Sequence, residues 1–196
     1  MNIELNRETL VAIYGNSNSE GRKVLREQLG ERFSEILPVT ERVKSFEDAL
    51  EELGPEHEAV KSYQDIDWKL GNGQEDIKAY LKLRVITDAL NEGWRPEFIQ
   101  GERRWYAWYD LISQEDYDAL SDEEKSRCVG RSNSGASAYV GLVYSSEYST
   151  SSVSYAVSSA RLAFKSNKLA EYAAKQFNEI HVDLCFRPKQ NKEKVG

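Results

Sequence analysis

Histidine, cysteine, proline and methionine are all scarce in this chain of 196 residues, at two, two, four and one. Cys128 and Cys185 lie far apart and outside any C-x-x-C spacing, so neither a zinc framework nor a redox pair is expected, and reduced buried thiols are the default. His57 falls among glutamates and His181 on the flank of an apolar stripe. Neither starts a metal-ligand spacing, so no metal and no cofactor is expected. No apolar run approaches the roughly 20 residues that a membrane span needs, and the N-terminus, with Glu4 and Glu8, does not read as a signal peptide. The expected setting is cytoplasmic, without a membrane partner.

What is plentiful is charge, with 33 acidic residues against 26 basic ones and a net charge of −7. That balance works against unspecific attraction to nucleic acid unless the basic residues gather on one face. A hydrophobic fraction of 40% in a chain of this length supports one real core. One domain is expected over residues 1–188, with 1–38 as a helical annex and 189–196 as a disordered tail.

The first half reads as helices with clear punctuation. "RETLVAIY" and "SEGRKVLREQLGERF" have short helical periods. Ser45 and Asp48 frame a capping-box variant before "FEDALEEL", which Gly54 ends. Pro55 is placed to open the next helix. "EDIKAYLKLRVITDALN" carries two apolar stripes, Ile77, Leu81, Val85 and Leu83, Ile86, Leu90, which marks a helix covered on more than one side. Near the end, Ser166 is a plausible N-cap for a stripe of Leu169, Ala173, Phe177, Ile180 and Leu184, and Pro188 blocks its continuation.

Between these helical halves the pattern changes. "RRWYAWYDLI", "SAYVGLVYS" and "ARLAFKS" are rich in aromatic and β-branched residues without a helical period, and read as strands. An acidic helical insert with a Ser121–Glu124 capping signal separates the first two. A Ser/Tyr-rich ribbon separates the last two. The expectation is an α+β fold: N-terminal helices, a small antiparallel β-sheet from residue 102 onward, and a C-terminal helix packed on the sheet.

Several chemical motifs fail on inspection. "GRSNSGAS", residues 130–137, has the glycine spacing of a phosphate-binding loop, but Ala136 stands where the lysine must be. The acidic run from Glu115 to Glu124 lacks a calcium-loop pattern. The serines lack an adjacent base in any supporting motif. The notable segment is "GERRWYAWYDLIS", residues 101–113, which holds two of the four tryptophans. In one continuous strand Trp105, Ala107 and Tyr109 face one way and Tyr106 and Trp108 the other. Trp and Tyr beside Arg suit a protein interface or stacking on bases, while the bland reading is a two-sided core. The candidate binding residues are Arg103, Arg104, Trp105, Trp108, Tyr109, Tyr144, Tyr155, Arg161 and Lys165.

At "ERRWYAWYDL" and "ARLAFKSNKLAEYAAKQFNEI", with "FEDALEELG" and "YLKLRVITDALNEGW", the chain resembles a functionally unassigned family of short proteins from Bacteroidetes genomes, phages and mobile elements. The resemblance covers roughly Phe46 to Ile180, and departs at Ala107, where similar sequences carry proline. It implies a phage or mobile-element setting and transfers no catalytic residue.

The leading expectation is therefore a non-enzymatic interaction protein that binds a protein partner through the aromatic strand or the Ser/Tyr-rich hairpin. Two alternatives stand beside it: a single-stranded nucleic-acid binder and an enzyme with an unrecognised carboxylate site. Assembly as a homo-oligomer is left open.

Overall fold

A computed structural model describes residues 6–30, 32–97, 99, 102–107, 109–112, 114–125, 128–129, 139–142, 147–148 and 160–185, with the backbone alone at 109–112, 114, 128–129, 139–142 and 147–148. Among these, eleven α-helices run in the order α1 Arg7–Asn16, α2 Ser19–Leu29, α3 Arg32–Ile36, α4 Val39–Arg42, α5 Phe46–Leu53, α6 Glu58–Asp67, α7 Glu75–Asn91, α8 Gln114–Ala119, α9 Asp122–Lys125, α10 Asn167–Gln176 and α11 Asn178–Cys185. Five short extended pieces are β1 Arg104–Trp105, β2 Tyr109–Ile112, β3 Cys128–Val129, β4 Tyr139–Leu142 and β5 Glu147–Tyr148.

Local sequence explains most helix ends. Asn6, Asn18 and Ser166 each accept a backbone N–H from the first turn that follows. Ser45 and Asp48 complete a reciprocal capping box, with Asp48 N donating to Ser45 Oγ at 3.1 Å and Ser45 N to Asp48 Oδ2 at 2.9 Å. Gly54, at φ +77°, ends α5 in a conformation that other residues rarely adopt. Pro55 does not open α6. A bond from His57 N to Gly54 O at 3.3 Å closes a turn across residues 54–57. The helix then starts at Glu58, with His57 Nδ1 accepting from Ala59 N at 3.3 Å.

Helix α7 is the axis of the molecule. It buries Ala79, Leu81, Leu83, Val85, Ile86, Ala89 and Leu90, and α5, α6, α10 and α11 all pack against it. Val43, Phe46, Ala49, Val60, Phe164, Ala170, Ala173 and Phe177 complete the main core. A smaller second core joins Leu10, Tyr14, Phe33 and Leu37. The closing stripe from Leu169 to Leu184 is divided between α10 and α11, because the backbone bends at Phe177, whose ring is buried beside Tyr172.

The expected α+β architecture is overturned. The chain is mostly helical, and the closing helices pack chiefly on α7, with α11 also touching β3. The extended pieces are two to four residues long: β1 pairs with β5, and β2 and β3 with β4, all antiparallel. Of their described side chains, Trp105 packs against the main core. The physical reason lies in α7, which is apolar nearly all round and so recruits helices to several sides, leaving no open face for a sheet.

"ARLAFKS" shows the same outcome in detail. Ala160–Leu162 is a 3-10 turn, and only Phe164 pairs in an extended manner, with Trp105. On the opposite edge of Phe164, the Asn91 side chain donates to Ala163 O at 2.7 Å and accepts from Lys165 N at 3.0 Å. These are the backbone groups with which a next strand would pair, so one buried amide takes the place of a ladder. Asn91→Ala leaves both groups unsatisfied, and is expected to lower unfolding free energy by about 2 kcal/mol in urea denaturation.

His181 is buried on α11, and burial pushes its imidazole down to about 4 from the ordinary 6.5. A group whose folded pKa is depressed binds its proton more readily when unfolded, so its contribution is present above about pH 6.5 and is lost as pH falls toward about 4. Asp88 and Asp183, whose carboxyls burial pushes up, act in the opposite direction. The stability of wild type relative to His181→Phe, read from urea midpoints, is expected to fall from neutral pH down through that window, since wild type alone carries this titration.

Candidate functional site

The aromatic segment is held against the core by its main chain. Trp105 N donates to Phe164 O at 3.1 Å, and Phe164 N donates back to Trp105 O at 2.8 Å. The Trp105 ring is half-buried against the main core, and Phe164 lies within it. The expected continuous strand is not formed. Pairing of Arg104 and Trp105 is with Tyr148 and Glu147, whereas Tyr109–Ile112 pairs with Tyr139–Leu142. The two ladders use different partners, and Tyr106 and Ala107 between them belong to neither.

The structure places the expected binding residues unevenly. Arg103 is exposed and Arg104 is buried, with its Nε 3.7 Å from the Glu102 carboxylate. Arg161 is exposed with Nη1 3.9 Å from Glu58, a carboxylate that Arg95 also approaches at 3.5 Å. Lys165 donates to Glu92 Oε2 at 2.9 Å. Tyr109 opens β2, and its side chain lies outside the described residues, as do Trp108, Tyr144, Tyr155, the Ser/Tyr-rich ribbon apart from the Glu147–Tyr148 backbone, the glycine loop at 130–137 and the tail at 189–196. The Trp105–Phe164 bridge therefore brings Arg103, Arg104 and Trp105 alongside the segment that carries Arg161 and Lys165.

Sequence reasoning overlooked several residues here. Tyr106 is half-buried next to Trp105, and desolvation raises its phenol, with Arg104 pulling the other way. Its hydrogen-bonding tip and apolar ring suit a partly wet interface. Asn91 and Glu92 anchor the neighbouring backbone and Lys165, and their contacts span more than 70 positions, which no local pattern encodes. Trp68 is 76% exposed at the end of α6, with the Lys69 ammonium 5.0 Å from its ring. Only its position at a helix end, before "KLGNG", hinted at that exposure.

Among the described residues, Asp183, whose carboxyl burial pushes up, has Glu75 as a charged neighbour, whereas Asp88 and Asp48, which shift in opposite directions, lie apart. Asp88, on α7, has its carboxyl pushed up by desolvation, against the pull of His57, Arg95 and Arg84. Asp48 caps α5, and hydrogen bonds from Arg22 and Ser45 outweigh its desolvation and hold its carboxyl below the usual range. These two groups belong to separate clusters with different neighbours. Among the described residues, no group of three or more His, Cys, Asp or Glu is placed to hold a metal ion, and no helix is long and apolar enough to cross a membrane.

No family model, curated protein or solved structure matches the chain.

Proposed function

We propose that this chain is a non-enzymatic interaction protein, of phage or mobile-element origin and cytoplasmic setting, that engages a protein partner through the segment Glu102–Ala107. The observation that carries this reading is the pinned aromatic backbone: Trp105 is fixed to Phe164 by two main-chain bonds, while Tyr106 stays half-exposed and Arg103 exposed. An anchor already held in place loses little conformational freedom on binding, and Tyr, Trp and Arg are the residue types that dominate interface energetics.

The same geometry argues against single-stranded nucleic acid. Of the four cations meant to meet phosphates, Arg103, Arg104, Arg161 and Lys165, the last three each have a carboxylate within 4 Å, from Glu102, Glu58 and Glu92. A polyanion would have to compete with those carboxylates on a chain of net charge −7.

The test is affinity capture from extracts of cells that produce the protein, with wild type and an Arg103→Ala/Tyr106→Ala variant of matched stability. A discrete protein recovered in fixed ratio with wild type, and lost with the variant, supports the reading. Equal recovery with both rejects this segment as the contact. A nuclease-sensitive species that dissociates steeply with salt selects the nucleic-acid alternative.

A further inference from the structure

Two apolar cores that share no residue are joined by a layer of ions. The smaller core is built from Leu10, Tyr14, Phe33 and Leu37, with Val11, Leu25, Leu29 and Ile36 packed around it, all from the first 37 residues. Helix α2 contributes no fully buried residue. What it presents to α5 is charge. Arg22 Nη1 donates to Asp48 Oδ1 at 2.5 Å and reaches Glu51 at 3.4 Å. Arg26 Nη2 donates to Glu52 Oε2 at 2.8 Å and to Tyr14 Oη at 3.4 Å. Ser19 Oγ adds a bond to Glu51 at 3.4 Å.

The aromatic rings of the small core face the same cations. Arg22 lies over Tyr14, and Arg26 and Arg42 lie over Phe33, at 4.9, 5.4 and 5.1 Å from the ring centroids. Arg42 continues the layer by pairing with both Glu52 and Glu92, and Glu92 in turn holds Lys165. A contact made of ions and hydrogen bonds gains little from burial of apolar area. Because the pairs are largely shielded, removing one partner weakens the contact between α2 and α5 sharply, and the contact so defines a natural seam for sub-global opening.

We propose that helices α1–α3 form an ionically latched cap, which undocks as a unit from α5 while the α7 core stays folded, exposing Asp48, Glu51 and Glu52 as an acidic face. The latch is a property of the full chain and stands apart from the binding segment at Glu102–Ala107. Arg26 and Glu52 contribute from opposite sides of the seam, so a change at either one loosens the same contact.

Native-state amide hydrogen exchange on the full chain tests this, comparing wild type with Arg26→Gln and with Glu52→Gln. Either variant is expected to speed exchange across α1 and α2 at least about tenfold more than it speeds exchange of residues 83–90. Acceleration spread equally over α1, α2 and α7 shows one cooperative unit and overturns the proposal. Unchanged exchange in α1 and α2 overturns it also, because the ionic layer then holds nothing. Should either variant fail to fold, wild type alone gives the reading: exchange across α1 and α2 at least about tenfold faster than in residues 83–90 supports the latch, and equal protection of α1, α2 and α7 overturns it.

Discussion

Leu90→Ala is expected to lower the free energy of unfolding by about 3 kcal/mol, a large share of what holds an ordinary domain folded. Leu90 is fully buried near the C-terminal end of α7, within the cluster that also holds Phe164, Ala170 and Ala173. Truncation removes apolar burial and leaves a cavity between helices that cannot all close in on it. Urea denaturation should show a lower midpoint with little change in slope. Val24→Ala on α2, at a side chain that is 46% exposed, should shift the midpoint far less. The contrast between the two checks that α7, and not a sheet, is the centre of the fold.

Arg42→Ala is expected to cost about 3–5 kcal/mol, for an electrostatic reason. The Arg42 side chain is only 3% exposed. Its Nε donates to Leu37 O at 3.0 Å, while its two Nη atoms pair with Glu52 and Glu92. Removing it leaves two carboxylates facing a vacated polar site and strips a cation from the face of Phe33. Arg42→Lys keeps the charge but not the fork, so it should recover only part of the loss. A double-mutant cycle between Arg42→Ala and Glu52→Gln should show strong coupling, since each change removes the partner of the other.

Helix boundaries were legible where a short-range code sets them. Ser45 with Asp48, Gly54 and Ser166 act within three or four positions of their targets, and each does in the structure what its spacing suggested. The double stripe of α7 announced its burial on several sides. Short extended pieces do form in "RRWYAWYDLI" and "SAYVGLVYS", but the extent of the sheet was misjudged, because aromatic and β-branched content signals a half-buried extended segment without saying how many neighbours that segment finds. Phe164 finds one main-chain partner, Trp105, and its other edge is closed by the Asn91 amide, a contact across 72 positions. The ionic layer was invisible for the same reason, since Arg22 and Asp48 are 26 residues apart and Arg42 and Glu92 are 50 apart. Of the candidate binding residues, Trp105, Arg103 and Arg104 were brought next to the Arg161–Lys165 segment by that one bridge. Tyr106 was visible in the sequence beside Trp108 on one strand face, but was not among the candidate binding residues.

The most direct test of the binding account is site-specific photo-cross-linking in cells that produce the protein. A photoreactive phenylalanine derivative is placed at Tyr106, and in a control at Lys23, an exposed position on α2. The account predicts one discrete protein adduct from position 106 and none of that mass from position 23. No adduct from position 106, or one that nuclease digestion removes, contradicts it.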